Sequence, residues 1–320
     1  MILIINRIFF FILSITIISS CKKKEEVFKE EPQVTMPFKS RFVTSALSET
    51  DQFTAKGTSL GIVALKEVSG LALSKVNDNS LWAHNDAGNE KILYLLDKNT
   101  GATKAGYFLN GTTNLDWEDI EVGPGPVDGK TYVYLADIGD NNQVYEKRTI
   151  YRFEEPAYEP AHNGMIVGWT GTFDVLNFTF PEGPKDSETL LLDHETKDLY
   201  VLTKRDLPAR LYIYPYPQET GNITQLTLAG TLPIFAPVAG NVSSEGNEIL
   251  IKNYNSVFYW KHEMGKPLWN TLAKEPFVAP YNPVEPQGEA IGFDSSGGYY
   301  TLSEMIGNDD VHLYFYGRIK

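Results

Sequence analysis

Glu188-Thr189-Leu190 opens a short apolar segment, and Leu199-Tyr200-Val201-Leu202-Thr203-Lys204 follows it after a turn. The same arrangement, a small or acidic residue before one strand and a polar residue ending a second, occurs five times in 320 residues. The other copies begin at Ser69, Glu118, Gly240 and Glu289 and end at Asp86, Asp137, Asn253 and Glu304. Successive copies start 49, 70, 52 and 49 residues apart. A repeat of about fifty residues built from hairpins is typical of a β-propeller.

Each copy continues into a third strand rich in tyrosine and other aromatic residues, and no window sustains a helical period. Fourth strands are expected over 103–109, 173–180, 226–232 and 277–280. The last copy reaches the C-terminus without a fourth strand, so the segment 42–64 is predicted to supply it and close the ring. The long step between copies two and three indicates an inserted loop over 156–172. The prediction is an all-β propeller of five four-stranded blades, with six as the alternative if a degenerate blade is hidden.

The N-terminus has the features of an export signal. Arg7 is the only charge in residues 1–20, and an apolar run over 8–18 is too short for a spanning helix. Ile18-Ser19-Ser20-Cys21 resembles the lipobox of bacterial lipoproteins, which implies lipidation of Cys21. An ordinary signal peptide is the alternative. We therefore expect a signal peptide over 1–20, a flexible tether over 21–40 and the propeller over 41–320, in an outer-membrane lipoprotein facing the periplasm or the cell surface.

The net charge and the cysteine content limit the classes of partner that this chain is expected to bind. Without residues 1–20 the chain has 27 basic and 41 acidic side chains, a net charge of −14. Nucleic acid is an improbable partner, because phosphate binding needs a basic stripe that this sequence lacks. Cys21 is the single cysteine, so no intramolecular disulfide forms. The expectation is a monomer that contacts the membrane only through its lipid and binds a small molecule or a protein.

Hairpin geometry predicts a site. Antiparallel pairing brings the start of one strand beside the end of the next, and the first strand of each blade is innermost, so these ends line one mouth of the channel. The candidate metal ligands there are Glu118, Asp119, Asp137, Glu188 and Glu289. The candidate ligand-binding residues are Asn85, Asp86, Trp117, Asn253 and Glu304. Lys204 falls at the same mouth and opposes the carboxylates.

Carboxylates held together repel and raise one another's pKa unless a cation or protons neutralise them. Hard oxygen ligands in this number suit Ca²⁺ or Mg²⁺, whereas Zn²⁺ is disfavoured because the five histidines show no paired spacing. The loop Asp137-Ile138-Gly139-Asp140-Asn141 is a second calcium candidate, although Asp and Asn beside Gly are also ordinary turn formers. No nucleophile elbow, zinc-protease motif or phosphate-binding loop occurs.

Several phrases resemble a group of secreted bacterial β-propeller proteins: Ser69-Gly70-Leu71-Ala72, Asp116-Trp117-Glu118-Asp119-Ile120, Asp137-Ile138-Gly139-Asp140-Asn141 and Asp186-Ser187-Glu188. More distantly, Gly288-Glu289-Ala290-Ile291 with Leu302-Ser303-Glu304 is similar to blades of the esterase-like phytase and SMP-30/gluconolactonase propellers. In those groups acidic residues at the channel mouth hold a divalent metal. The resemblance implies the fold and a comparable metal site, although Ser69, Gly240 and Lys204 depart from a fully acidic ring.

Three functions are open on the sequence alone. The first is a lipid-anchored binding protein with an acidic mouth, occupied by Ca²⁺ in one variant of the hypothesis. The second is a metal-dependent hydrolase of phosphoesters or lactones, in which Glu188 or Glu289 acts as general base and Lys204 stabilises developing negative charge. The third is a non-catalytic scaffold that uses the propeller rim.

Overall fold

Segments rich in β-branched and aromatic residues form five antiparallel sheets in the computed structural model, which describes residues 35–320. Each sheet is one blade of a five-bladed β-propeller, and the innermost strands of neighbouring blades contact one another in a closed ring. The predicted signal peptide, Cys21 and the tether as far as residue 34 lie outside the described residues. Within the described part of the chain, no helix has the length and apolar character needed to span a bilayer.

The strands of each blade are listed here from the innermost outward. Blade 1 contains Val68–Leu73, Ser80–Asn85, Ile92–Asp97 and Thr103–Leu109; blade 2 contains Trp117–Pro124, Thr131–Asp137, Arg148–Glu154 and Asp174–Thr179; blade 3 contains Ser187–Leu192, Leu199–Thr203, Ala209–Tyr214 and Thr227–Leu232; blade 4 contains Pro237–Val242, Glu248–Asn253, Val257–Lys261 and Phe277–Ala279; blade 5 contains Ala290–Phe293, Tyr299–Leu302, Val311–Tyr316 and Thr58–Val63. The helical elements described are Leu268–Leu272 and the 3₁₀ turns Thr44–Ala46 and Pro160–His162.

The two ends of the described chain close the ring. Thr58–Val63 pairs antiparallel with Val311–Tyr316 and completes blade 5, which confirms the closure predicted from the segment 42–64. The insertion between the third and fourth strands of blade 2 hides no sixth blade. Its strand Ile166–Trp169 instead adds a parallel fifth strand to the outer edge of blade 1. The count of five blades is therefore confirmed.

Two further short strands extend the outer edges. Ile223–Gln225 pairs parallel with the outermost strand of blade 2, and Phe38–Lys39 pairs in the same way on blade 3. Phe38 is buried, and the Ser40 N–H donates to the Thr231 carbonyl at 3.0 Å. The propeller therefore begins a few residues earlier than the predicted boundary at residue 41.

The core lies between the blades. Five clusters of buried apolar side chains occupy the five gaps between neighbouring sheets, so each blade packs on both faces. Trp82 and Tyr134 are fully buried in two of these gaps. Burying a large apolar side chain contributes about 1.5–3 kcal/mol, so side-chain packing dominates blade association. The channel at the centre is consequently surrounded by a rigid wall.

Candidate metal site at the channel mouth

Irregular β-pairing at the start of the innermost strands positions the first acidic side chains of the channel mouth. In blades 1 to 4 the innermost strand is out of step with its partner by one residue, at Ser69, Glu118, Glu188 and Val238. A β-bulge of this kind re-aims the side chain of the extra residue. In blade 4 the bulged residue is Val238. The sequence repeat predicted Gly240 at this position, and that prediction was wrong.

Four carboxylates gather around that of Glu118. One carboxylate oxygen each from Asp86, Asp116 and Glu118 lie within 4.8 Å of one another, and the same holds for Glu118, Asp186 and Glu188. All except half-buried Asp86 are buried. Glu118 belongs to both groups, so the two triads form one continuous acidic cluster, which we call the mouth cluster.

Two members of the mouth cluster, Asp116 and Asp186, were not among the predicted site residues. Each lies two positions before a predicted glutamate, in Asp116-Trp117-Glu118 and Asp186-Ser187-Glu188. The repeated Asp-x-Glu pattern at the start of two blades is the signal that identifies them. Asp116 and Asp186 precede the innermost strands, so counting residues from the strand start overlooked them.

The mouth cluster strongly disfavours negative charge when no cation is bound. Burial raises the pKa of Glu118 well above its usual range, and the charges of Glu188, Asp86 and Asp116 raise it further. Burial, followed by the charge of Asp86, raises the pKa of Asp116 to about 7. A cation among these oxygens would remove the repulsion.

Lys204 and Tyr254 form one side of the mouth. The Lys204 Nζ lies 2.5 Å from Glu188 Oε1 and 3.9 Å from Glu289 Oε1, and it donates to the Tyr254 hydroxyl at 3.0 Å. The Tyr254 hydroxyl in turn donates to Glu289 Oε1. Burial disfavours the charge on Lys204, but the Glu188 carboxylate outweighs that effect and raises the pKa of the amine. The second oxygen of buried Glu188, Oε2, has no hydrogen-bond partner among the described residues.

The predicted loop 137–141 forms a wall of the mouth cluster. The Asp140 N–H donates to Asp186 Oδ1 at 2.8 Å, and Arg205 Nε lies 2.7 Å from Asp186 Oδ2. Asp137 accepts the Asp116 N–H at 2.9 Å and pairs with Arg148 at 3.3 Å. Asp137, a predicted metal ligand, thus holds the backbone of Asp116 in place, and its carboxylate is not a member of the mouth cluster.

Asp119, another predicted metal ligand, faces the channel interior. Its Oδ2 accepts the backbone N–H groups of Leu190 at 2.8 Å and Gly240 at 3.1 Å, while Oδ1 accepts that of Ile120 at 2.9 Å. These donors belong to blades 3, 4 and 2 respectively. Both carboxylate oxygens are therefore occupied, Oδ2 by joining blade 2 to blades 3 and 4 and Oδ1 within blade 2, and Asp119 does not join the mouth cluster.

The remaining predicted residues divide between the mouth and the structure around it. Burial, then the charges of Glu289 and Asp86, raises the pKa of Glu304 to about 7. Glu289 Oε1 lies 3.9 Å from the Lys204 amine that pairs with Glu188. Trp117 is fully buried in the core between blades 1 and 2, and its indole N–H donates to the Thr113 carbonyl at 2.7 Å. Asn253 caps its own turn by accepting the N–H of Ser256 at 2.8 Å.

Asn85 and Asp86 end the second strand of blade 1. The Asn85 side-chain oxygen accepts the Glu67 N–H at 3.4 Å, a long contact on a half-buried side chain. Asp86 accepts the Ala87 N–H at 2.5 Å and contributes a carboxylate oxygen to the mouth cluster. Of this pair, Asp86 is the member that shares the acidic environment.

The donor set suits a hard divalent cation. Carboxylate oxygens from three blades meet in two triads that share Glu118, the Oε2 atom of buried Glu188 has no partner among the described residues, and neither triad includes a nitrogen or sulfur ligand. Such oxygen sets bind Ca²⁺, which accepts six to eight ligands, or Mg²⁺, which retains several waters. Asp86, Asp116, Glu118, Asp186 and Glu188 are the residues that fit such an ion.

No family model matches this sequence, and no curated protein sequence matches it. Among solved structures, the chain is similar to a gluconolactonase from Xanthomonas campestris, with 10% identity, a TM-score of 0.46, and coverage of 90% of this chain and 97% of that one. It is also similar to the soluble aldose sugar dehydrogenase from Escherichia coli, with 9% identity, a TM-score of 0.45, and coverage of 83% and 100%. A luciferin-regenerating enzyme shows 12% identity, a TM-score of 0.42 and 80% coverage of both chains. Similarities this low say nothing about activity, so the case for a function rests on the mouth itself.

Proposed function

We propose that the channel mouth binds a divalent cation, Ca²⁺ or Mg²⁺, and through it a small oxygen-rich ligand. The observation that supports this most directly is the convergence of Asp86, Asp116, Glu118, Asp186 and Glu188, with Glu118 shared by both triads. Lys204 and Arg205 offset part of this charge by pairing with Glu188 and Asp186. An excess of buried carboxylate remains, and only a cation or bound protons can balance it.

The open part of the mouth provides room for a ligand. Asp86 and Glu304 are half-buried, so water reaches the mouth cluster from their side. The Lys204 amine donates to Glu188 and to the Tyr254 hydroxyl and keeps a third N–H for a ligand. A ligand with several oxygens is therefore recognised by a cation and by the Lys204 N–H. This complementarity favours hydroxylated, carboxylated or phosphorylated small molecules.

The test measures cation binding and its dependence on the mouth cluster. We expect purified protein to bind Ca²⁺ or Mg²⁺ in calorimetry, and the cation at 100 times its Kd to stabilise the fold by about 2.7 kcal/mol. The double variant Glu118→Gln, Glu188→Gln should lose both effects, while the exposed variant Glu263→Gln retains them. A melt that does not respond to Ca²⁺, Mg²⁺ or a chelator would refute the proposal and favour a hydrated scaffold.

A second candidate function, hydrolysis of phosphoesters or lactones, is favoured by the contacts among Lys204, Tyr254 and Glu289. When bound, the cation would polarise a substrate oxygen and lower the pKa of a coordinated water. Glu289 can take a proton from an attacking water, with Tyr254 donating to its carboxylate and orienting it. The Lys204 amine lies where it can stabilise negative charge that develops on the substrate.

Hydrolysis is tested with a panel of phosphoesters and lactones. Turnover should depend on the cation and fall by at least 100-fold in Lys204→Met, while that variant still binds the cation. Lys130→Met is the matched control, because Lys130 makes an exposed ion pair with Glu154 at 2.6 Å. Cation binding without turnover of any substrate would leave ligand binding as the function and exclude this second candidate for the panel tested.

We also propose that the chain is anchored outside the cytoplasm by a lipid on Cys21. The support is the apolar run ending at Ile18-Ser19-Ser20-Cys21. Labelling of cells with a radioactive fatty acid should modify the wild-type chain and leave Cys21→Ser unlabelled, and only the wild type should sediment with membranes. Equal labelling or equal sedimentation of the two chains would contradict the anchor.

A further inference from the structure

Exposed apolar side chains lie in the loops on the mouth face. The first strand of each blade starts at this face and the second ends there, so the loops leading into the first strand and out of the second belong to it. Six large apolar side chains in these loops are between 46% and 68% exposed: Leu115, Val144, Leu207, Phe235, Val284 and Ile306. We call this set the crown.

The crown is tied to the mouth by sequence and by hydrogen bonds. Leu115 directly precedes Asp116, and Leu207 lies in the loop of Lys204 and Arg205. The Phe235 carbonyl accepts the Asn253 side chain at 3.0 Å. The loops that supply cation ligands and donors therefore also supply the crown.

Two more members of the crown show the same link. Val144 belongs to the loop fixed by the Tyr145 N–H, which donates to Asp140 Oδ2 at 2.7 Å, and Asp140 in turn donates to Asp186. Ile306 follows Glu304 by two residues. The acidic mouth cluster and the exposed apolar side chains of the crown therefore lie on the same face of the propeller.

We propose that the ligand of the mouth is amphiphilic, with a carboxylate or ester head at the cation and a hydrocarbon part against the crown. This inference rests on the proposed cation site and adds the chemical class of the ligand. The head group follows from the coordination preference of the cation, since a ligand oxygen completes the shell of Ca²⁺ or Mg²⁺ held by carboxylates. The hydrocarbon part follows from the crown, because covering exposed apolar surface favours binding in proportion to the area removed from water.

The crown also explains how a strongly acidic chain can hold such a ligand. The net charge of −13 repels anions at long range, so a fully charged polyanion approaches slowly. A ligand with one charged head meets less repulsion and gains affinity from its apolar part. An amphiphile therefore fits this surface better than a polyphosphate does.

The test uses the full chain saturated with Ca²⁺ or Mg²⁺ and a series of soluble carboxylates: acetate, butyrate, hexanoate and octanoate. Affinity should rise about two- to fourfold per added methylene that reaches the crown. The double variant Leu207→Ser, Phe235→Ser should flatten this trend without changing affinity for the cation or for acetate. The control Val127→Ser, Met264→Ser removes exposed apolar side chains from loops on the opposite face and should keep the trend.

The outcomes separate the two proposals. If the wild-type chain binds no cation in calorimetry, the cation site is refuted. If it binds the cation but has equal affinity for acetate and octanoate, only the amphiphilic ligand is refuted. If Leu207→Ser, Phe235→Ser reduces sedimentation with phosphatidylglycerol vesicles but leaves carboxylate affinities unchanged, the crown contacts membrane and the proposal is overturned. A chain-length trend that disappears in the crown variant alone supports it.

Discussion

Glu118 and Asp119 are neighbours in sequence, both are buried, and their surroundings differ completely. Glu118 accepts one hydrogen bond, from Ser69 at 3.3 Å, and otherwise faces the carboxylates of the mouth cluster. Asp119 accepts three backbone N–H groups from three blades. Burial raises the pKa of both; neighbouring charges add to the rise for Glu118, whereas N–H donors oppose it for Asp119. The difference indicates that hydrogen-bond partners, and not burial, separate the proposed cation ligand Glu118 from the structural carboxylate Asp119.

A second channel carboxylate supports this distinction. Glu121 accepts the Val242 N–H at 2.9 Å and the Asn241 side-chain amide at 3.0 Å. Asn241 in turn accepts the Phe293 N–H at 2.8 Å. Asp119, Glu121 and Asn241 thus join blades 2, 3, 4 and 5 through the channel. These side chains inside the channel are therefore structural, and the proposed cation site lies at the mouth.

Removing the structural carboxylate, Asp119, should change the stability of the fold the most. Asp119→Ala should reduce the free energy of unfolding by about 3 kcal/mol, because the buried N–H groups of Leu190 and Gly240 lose their acceptor. Asp119→Asn should lose less, since its amide oxygen can still accept both. Urea unfolding measures this, and Glu118→Gln without cation should be as stable as wild type or more so. Equal destabilisation by Asp119→Ala and Glu118→Gln would show that the two carboxylates have the same role.

A smaller effect is expected from crowding the mouth cluster. A Cβ atom at Gly139 would lie 1.9 Å from Glu118 Oε1 and 2.6 Å from the Asp116 carboxyl carbon. Gly139→Ala should therefore displace both carboxylates and lower cation affinity by at least tenfold, about 1.4 kcal/mol. Gly221→Ala is the control, since nothing lies within 4 Å of its Cβ position. An unchanged Kd in Gly139→Ala would remove Glu118 and Asp116 from the ligand set.

The smallest effect is a pH dependence of the cation-free protein. The pKa values of Asp116 and Glu304 are raised to about 7, chiefly by burial, so the folded state binds protons more tightly than the unfolded state. These two carboxyls should therefore lower stability as pH rises from about 4 to about 7. Because both carboxyls face the hydrated mouth, their contribution to the change in Tm should be roughly 2 °C. Buried His84 and His194 act in the opposite direction, since burial lowers their pKa values to about 4, so the contribution of the carboxyls is the difference between the wild type and a variant without them.

Saturating cation should abolish this contribution, since it replaces the protons. The double variant Asp116→Asn, Glu304→Gln without cation should show the same pH profile as the wild type with cation. Melting curves at several pH values measure both effects. Identical pH profiles of the cation-free wild type and the cation-free double variant would contradict the assignment of these carboxyls to a repulsive cluster.

Local patterns were sufficient for most of the fold. The predicted fourth strands coincide with Thr103–Leu109, Asp174–Thr179, Thr227–Leu232 and Phe277–Ala279, because period-two alternation and turn residues act over a few positions. The fifty-residue period likewise predicted five blades. Local patterns could not predict the partners of individual carboxylates. Asp119 and Asp137 were predicted to be metal ligands, but Asp119 accepts backbone N–H groups and Asp137 binds a backbone N–H group and Arg148.

The amino-acid sequence alone determined the repeat, the closure of the ring and the presence of acidic residues at one mouth, because hairpin pairing brings the same strand ends together in every blade. Only the tertiary structure decided which carboxylates meet. A one-residue bulge reverses the face on which each following side chain lies, and this shift is set by packing between blades. For that reason Glu118 reaches the mouth while Asp119, the next residue, binds blades together inside the channel.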